Sequence, residues 1–394
     1  MRRHQALTLI AIVSTAAAGI WGVRALIHDG RETPDAGSRR LMAAIADVDA
    51  GRRTTPLLGD LTPGGGITVT FLARREGGQV PRVVSDVTGW GEQIDGTFDF
   101  TVGTMTRVGG TDWYSLQVEV ASRARIEYRL AYGMTDYRFD PHNPRRSAGP
   151  NVGGAPASEF VTAGYAPPAE FEGPPPTPSG ELREAAIEGP CRVEVYTPAG
   201  YRAEGNAPAA IFLDSRSRQS ARVLDWLIAR REIPPVVAAF VSPRSPGDER
   251  CSSTALPSFV AGPLLRWLAV HRRVSPRAED HAVLAISYHA KDALEIVVEH
   301  AEAFAAVGLL IPGRRLTPAD IDAAAAHRST QLRVAILAGQ YDRANLPTAR
   351  RLRVALAGAG HPVDYLEIAE GHSAVTWRNH LLGVLVGLFG RAHE

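Results

Sequence analysis

The stretch Ala282-Val-Leu-Ala-Ile-Ser-Tyr-His-Ala-Lys291 runs five apolar residues into a serine and turns polar where a helix is expected to begin, near Lys291. An uninterrupted apolar run bounded by a turn reads as a strand buried on both faces, which is the signature of a parallel sheet covered by helices. Five further strands are read beside it, the alternating Arg192-Val-Glu-Val-Tyr and the apolar runs Ala209-Ala-Ile-Phe-Leu, Val236-Val-Ala-Ala-Phe-Val, Ala305-Ala-Val-Gly-Leu-Leu and Val334-Ala-Ile-Leu-Ala. Helical stretches at Ser220 to Arg230, Leu256 to His271 and Leu346 to Ala359 separate them. Strand alternating with helix specifies an α/β fold with a mostly parallel sheet over residues 183–394. Chemistry in such sheets gathers at the carboxyl ends of the strands, and Ser287 stands at one.

A serine at a strand-to-helix turn is the setting of a nucleophile elbow, and α/β-hydrolases supply the remaining catalytic groups in the order serine, acid, histidine. Asp342 follows the strand Val334 to Ala338 through Gly339-Gln-Tyr, and His372 follows Val363-Asp-Tyr-Leu-Glu-Ile within Glu370-Gly-His-Ser. Both therefore fall in that order. Each has a plainer reading, Asp342 as a helix cap and His372 as a surface histidine, and Glu370 competes for the role of acid. The elbow departs from G-x-S-x-G, with Ala285 and His289 at the flanking positions. His289 either occludes the elbow or faces the site and donates a hydrogen bond.

Upstream the period changes to two. Ile67 to Ala73, Arg82 to Asp86, Phe98 to Val102, Trp113 to Val120 and Arg125 to Tyr132 are short β-rich runs divided by Gly and Asp turns, so residues 60–163 are expected to form a β-sandwich. Trp90 and Trp113 are read as fillers of its core, with a sugar-binding platform as the alternative. Residues 31–59 form a lead-in with Leu41, Ala44, Ile45 and Val48 at helical spacing, and residues 164–182, rich in Pro and Gly, form a stiff linker. The basic start Met1-Arg-Arg followed by the apolar run Ala6 to Val23 marks residues 1–30 as an export signal or a retained membrane anchor, which places the chain outside the cytoplasm, in the periplasm or cell envelope. In an oxidising compartment Cys191 and Cys251 have the opportunity to form one bridge. With 43 Lys and Arg against 42 Asp and Glu, the summed charge offers no field for nucleic acid, and membrane contact is expected only through the N-terminal segment. No ligand cluster calls for a metal or other cofactor.

Taken together, Val83 to Trp90, Gly109-Gly-Thr-Asp-Trp-Tyr114, Asp140-Pro-His-Asn-Pro144, Phe212-Leu-Asp214, Ile233-Pro-Pro235, Glu249-Arg250, the serine strand, and Gly371-His372 with Trp377-Arg378 resemble the enterochelin (siderophore) esterases, in the putative-esterase branch of the α/β-hydrolases. The resemblance implies an early-set, immunoglobulin-like N-terminal domain and a carboxylic ester hydrolase. It implies Ser287 as nucleophile, His372 as base, Asp342 as acid and an oxyanion hole from the backbone N–H groups of Tyr288 and Ser215. It further implies substrate contacts from Arg250, His289 and Trp377 to a small-molecule ester, of siderophore type where the family name is followed. Family members usually carry glycine at Ser215, Ala285, His289 and Ala290. Two alternatives follow: a weak or silent relative that binds a ligand or envelope partner, and an acyltransferase using the same triad.

Overall fold

Alternation along single strands decides which side chains meet which helices. In the computed structural model, which describes residues 36–149, 156–202, 206–214, 216–245, 248, 251, 254–327 and 331–390, Ile211 and Leu213 point to one face of a sheet while Ala210 and Phe212 point to the other. Two antiparallel sheets come first in the chain. One contains β1 (Leu57–Leu61), β2 (Gly66–Arg74), β4 (Thr106–Arg107) and β5 (Trp113–Ala121) in the order β1-β2-β5-β4. The other has β6 (Arg125–Tyr132) at its centre, paired with β3 (Pro81–Ser85), β7 (Asp136–Arg138) and β8 (Ser158–Val161). Between them Val69, Phe71, Ile126, Tyr128 and Phe160 make an apolar core in which Phe71 meets Tyr128 edge to face at 4.9 Å.

The lead-in forms a helix over the residues at helical spacing. Helix α1 (Ala36–Asp49) buries Ala44, Ile45 and Val48 against Leu57, Leu72 and Trp113, so Trp113 is a core residue, 2% exposed, as its alternating strand requires. The expected strand Phe98 to Val102 is absent: Asp99 bonds back to Gly91, and Phe98 and Phe100 stack at 6.3 Å with both rings exposed. Two apolar residues at i and i+2 satisfied the strand pattern without a sheet edge to join. The Pro-rich segment is seated rather than free, since Arg222 Nε donates to the Glu170 carbonyl at 2.8 Å and lies over the Phe171 ring.

The second sheet system has eight strands: β9 (Glu181–Glu184), β10 (Arg192–Thr197), β11 (Ala209–Leu213), β12 (Val237–Ser242), β13 (His281–Ile286), β14 (Ala306–Leu310), β15 (Arg333–Gly339) and β16 (Val363–Ile368), in the order β16-β15-β14-β13-β11-β12-β10-β9. Strands β11 to β16 run parallel, and β9 and β10 close the edge antiparallel. Helices α2 (Ser217–Ala229) and α8 (Ala374–Phe389) cover one face; α3 (Leu256–Phe259), α4 (Leu265–Arg272), α5 (Ala290–Glu299), α6 (Pro318–Ala326) and α7 (Leu346–Gly358) lie with the other. A single π-turn carrying Pro263 joins α3 to α4. The strand order reverses around β11, so the crevice of this fold opens where β11 and β13 end. Cys191 and Cys251 are bridged, with Cα atoms 4.8 Å apart. No helix of the described residues is long and apolar enough to cross a membrane, and the N-terminal signal or anchor, residues 1–30, lies outside the described residues.

Candidate active site

Ser287 is the first residue after β13 and holds φ at 48°, a left-handed conformation that a serine adopts only when its surroundings impose it. The imposition is visible: Gly313 N–H and Ala290 N–H both donate to the Ser287 carbonyl, which leaves Oγ standing above the end of the strand. His372 Nε2 lies 2.8 Å from that Oγ, and His372 Nδ1 lies 2.7 Å from Asp342 Oδ2. With the proton on Nδ1, the ring donates to the carboxylate and presents Nε2 to the serine hydroxyl. Three strand ends supply the three residues, and the loops after β15 and β16 are laced together by Gln340 N–H to Ile368 O at 2.7 Å and Tyr341 N–H to Glu370 O at 3.0 Å. Asn345 Nδ2 donates to the second oxygen of Asp342 at 2.7 Å. Burial works against a charged His372, but the charge and hydrogen bond of Asp342, with smaller contributions from Asp86 and Glu92, outweigh it and raise its pKa above the ordinary histidine value.

A cavity of about 560 Å3 opens over these groups, within the size range of small-molecule sites. Tyr288, Arg314, Arg315, Tyr341 and Arg343 line it, and so do Gly89, Trp90 and Glu92 from the β-rich part of the chain. The two parts meet closely here. Arg314 pairs with Glu92, and Ala121 N–H donates to Tyr341 Oη at 2.8 Å. A side chain at Gly371 would collide with the buried Asp86, whose Oδ1 sits 1.9 Å from where the Cβ would be. Glycine beside His372 is therefore a packing requirement. Burial, reinforced by the charge of Glu127, pushes the Asp86 carboxyl up to about 7.

Not every residue expected at the site is there. His289 turns along its own helix to Asp292 Oδ2 at 2.8 Å and is not among the residues that line the cavity, so it does not occlude the elbow. Trp377 is 1% exposed and packs under the sheet with Phe212 and Leu381, which removes it from substrate contact. Ala285 and Ala290 are fully buried in the apolar core and fill the places expected of glycine. Glu370 is no competitor for the acid: it is committed to Arg125 at 3.1 Å and His380 at 2.6 Å. Ser215 and Arg250 lie outside the described residues. The residues missed from sequence are Trp90, Arg314, Arg343 and Asn345. Asn345 and the Arg314-Arg315 pair carried a usable signal, since each follows a strand's carboxyl end.

Among solved structures the chain is similar to the ferric enterobactin esterase of Salmonella typhimurium, at 18% identity and TM-score 0.66, over 85% of this chain and 96% of that one. It is similar to the enterobactin esterase of Shigella flexneri solved in the presence of enterobactin, at 20% identity and TM-score 0.62, over 85% and 96% of the two chains. Likeness at this identity establishes the shared fold, including the β-rich part ahead of the α/β part. None of the curated proteins matches the chain. A family model described as putative esterase matches residues 184–388, more than half of the sequence, and the chain belongs to that family.

Proposed function

We propose that the chain is a serine esterase, exported or membrane-anchored, which cleaves a carboxylic ester by an acyl-enzyme mechanism. The relay Asp342 to His372 to Ser287, hydrogen-bonded at 2.7 and 2.8 Å, carries the reading. His372 Nε2 takes the proton from Ser287 as Oγ attacks the ester carbon, and the oxygen that gains charge is received by the N–H of Tyr288 together with that of Ser215. Collapse breaks the bond to the alcohol, which leaves with the proton held on Nε2. Water, deprotonated by the same nitrogen, then attacks the acyl-enzyme and frees the acid and Ser287. Asp342 keeps the tautomer and stabilises the imidazolium.

The strained Ser287 backbone and the outward turn of His289 favour turnover over a silent binding protein. Export is supported by the basic-then-apolar start of the sequence and by the Cys191–Cys251 bridge, which suits an oxidising compartment. A siderophore-type ester as substrate is supported by the enterobactin esterases sharing this fold, and by guanidinium donors on the cavity wall, Arg343 together with Arg314 and Arg315, which are paired with Glu92 and Asp292. Release of alcohol and acid from p-nitrophenyl acetate, with a burst of nitrophenol equal to the enzyme, is the expected result. Steady turnover that is unchanged in Ser287→Ala would overturn the reading, and acyl transfer to an added sugar in place of water would redirect it to the acyltransferase class.

A further inference from the structure

The β-rich part of the chain supplies a tryptophan to the cavity, and its backbone is held in a conformation that tryptophan rarely adopts. Trp90 has φ 56° and ψ 19°, directly after Gly89 at φ 62°. A left-handed conformation disfavours a bulky residue and persists only where the surroundings over-determine it, so such an outlier at a cavity wall is a pointer to function. Three contacts hold it. Trp90 Nε1–H donates to Asp86 Oδ1 at 2.9 Å, while Glu127 N–H donates to Asp86 Oδ2 at 2.7 Å, so one buried carboxylate ties the indole to β6. Gly89 rests against the Arg343 side chain, where an added Cβ would lie 3.2 Å from Cδ, and Glu92 pairs with Arg314. The loop is thus clamped to the α/β part on both sides of Trp90.

A tryptophan whose role is packing sits in a core, as Trp113 does; Trp90 instead remains half-buried and lines the same cavity as Ser287 and His372. We propose that Trp90 is the specificity-determining residue of this site, offering its indole face to a planar part of the ester, and that Asp86 is the positioning residue that fixes the ring. The inference rests on the esterase reading and adds to it that selectivity comes from the N-terminal part of the chain. An aromatic face rewards a flat partner through stacking and burial, whereas a methyl group gains little from it.

The test compares methyl benzoate and phenyl acetate with methyl acetate, following acid release. Trp90→Ala is expected to lower kcat/KM for the better aryl ester roughly tenfold more than for methyl acetate, mostly through KM. Trp90→Phe, which keeps a ring but loses the bond to Asp86, is expected to fall between, and Asp86→Leu to reproduce the loss that Asp86→Asn restores in part. Because Asp86→Leu removes both acceptors from a buried position and can unfold the chain, the half-buried Trp90 variants carry the decision, with circular dichroism as the folding check. A binding arm needs no turnover: on the Ser287→Ala background, benzoate affinity measured by calorimetry is expected to weaken roughly tenfold with Trp90→Ala. Binding that depends on Trp90 without hydrolysis of any ester would sink the esterase reading and leave this one standing. An aryl-to-methyl ratio unchanged in folded Trp90→Ala, or neither binding nor hydrolysis of an aryl ligand, overturns it.

Discussion

Ser287, His372 and Asp342 belong to three loops that follow β13, β16 and β15, and the geometry that joins them fixes how the site should respond to pH. The proposed base, His372, would have to be neutral to take a proton, so kcat/KM should rise with pH through its pKa, and because that pKa is raised the midpoint should lie above the ordinary value of about 6.5. Asp342→Asn removes the charge that does most of the raising, so the midpoint should move to lower pH while the plateau falls; a midpoint unmoved in the pH–rate profile would contradict the assignment. Asn345 bonds the outer oxygen of Asp342, and Asn345→Ala should cost about tenfold in kcat/KM, as expected for one hydrogen bond to a charged group. The order of the three residues was legible from sequence because each directly follows a strand whose apolar run announces its end. Trp90 was not legible. Trp90 and Trp113 both sit among short β-runs, and what separates them is a packing event between parts of the chain more than 200 residues apart, Glu92 on Arg314 and Gly89 on Arg343. His289 and Trp377 were misplaced for a related reason: sequence proximity to a motif does not tell which way a side chain leaves its helix.

Among elements, β6 and the loop before α8 share a buried charge cluster. Arg125, 3% exposed, bonds Glu127, Glu159 at 2.9 Å and Glu370 at 3.1 Å, while its backbone N–H donates to Ala369 O at 3.1 Å. Glu370 in turn takes His380 from α8 at 2.6 Å. Removing Arg125 takes the ion-pair partner from the buried Glu127 and leaves Glu370 with His380 and Glu159 with Arg145 as their remaining pairs, which is far more damaging than losing a surface pair. Arg125→Ala should therefore destabilise the chain by about 3–5 kcal/mol in denaturant unfolding, and a loss under 1 kcal/mol would show that the cluster contributes no more than an exposed pair. The apolar strands of the α/β part were read nearly to the residue, because burial on both faces leaves an unbroken signal. Short strands such as β1, β7 and β8 escaped, and Phe98 to Val102 was mistaken for one, because two or three residues of alternation carry little information about pairing.

At the scale of the whole molecule, the antiparallel sheets act as one wall of the site, so the two parts of the chain should stand or fall together in function. The bridge between Cys191 and Cys251 closes a loop with a sequence separation of 60. By chain entropy such a cross-link is worth about 4 kcal/mol, so Cys191→Ser with Cys251→Ser should lower unfolding stability by that order, and treatment of the native chain with reductant should do the same. The bridge joins the segment before β10 to the stretch after β12, and neither half-cystine lines the cavity over Ser287, so the loss should appear in unfolding and not in the pH profile of catalysis. Equal stability of the oxidised and reduced chain would contradict this. The central claim is that Ser287 is a nucleophile activated by His372. A fluorophosphonate probe reports it directly, with the labelled peptide identified by mass spectrometry. One label per chain on Ser287 is predicted, abolished in Ser287→Ala and slowed by roughly a hundredfold or more in His372→Ala. A folded chain that takes no label, or takes it on another residue, would contradict the account.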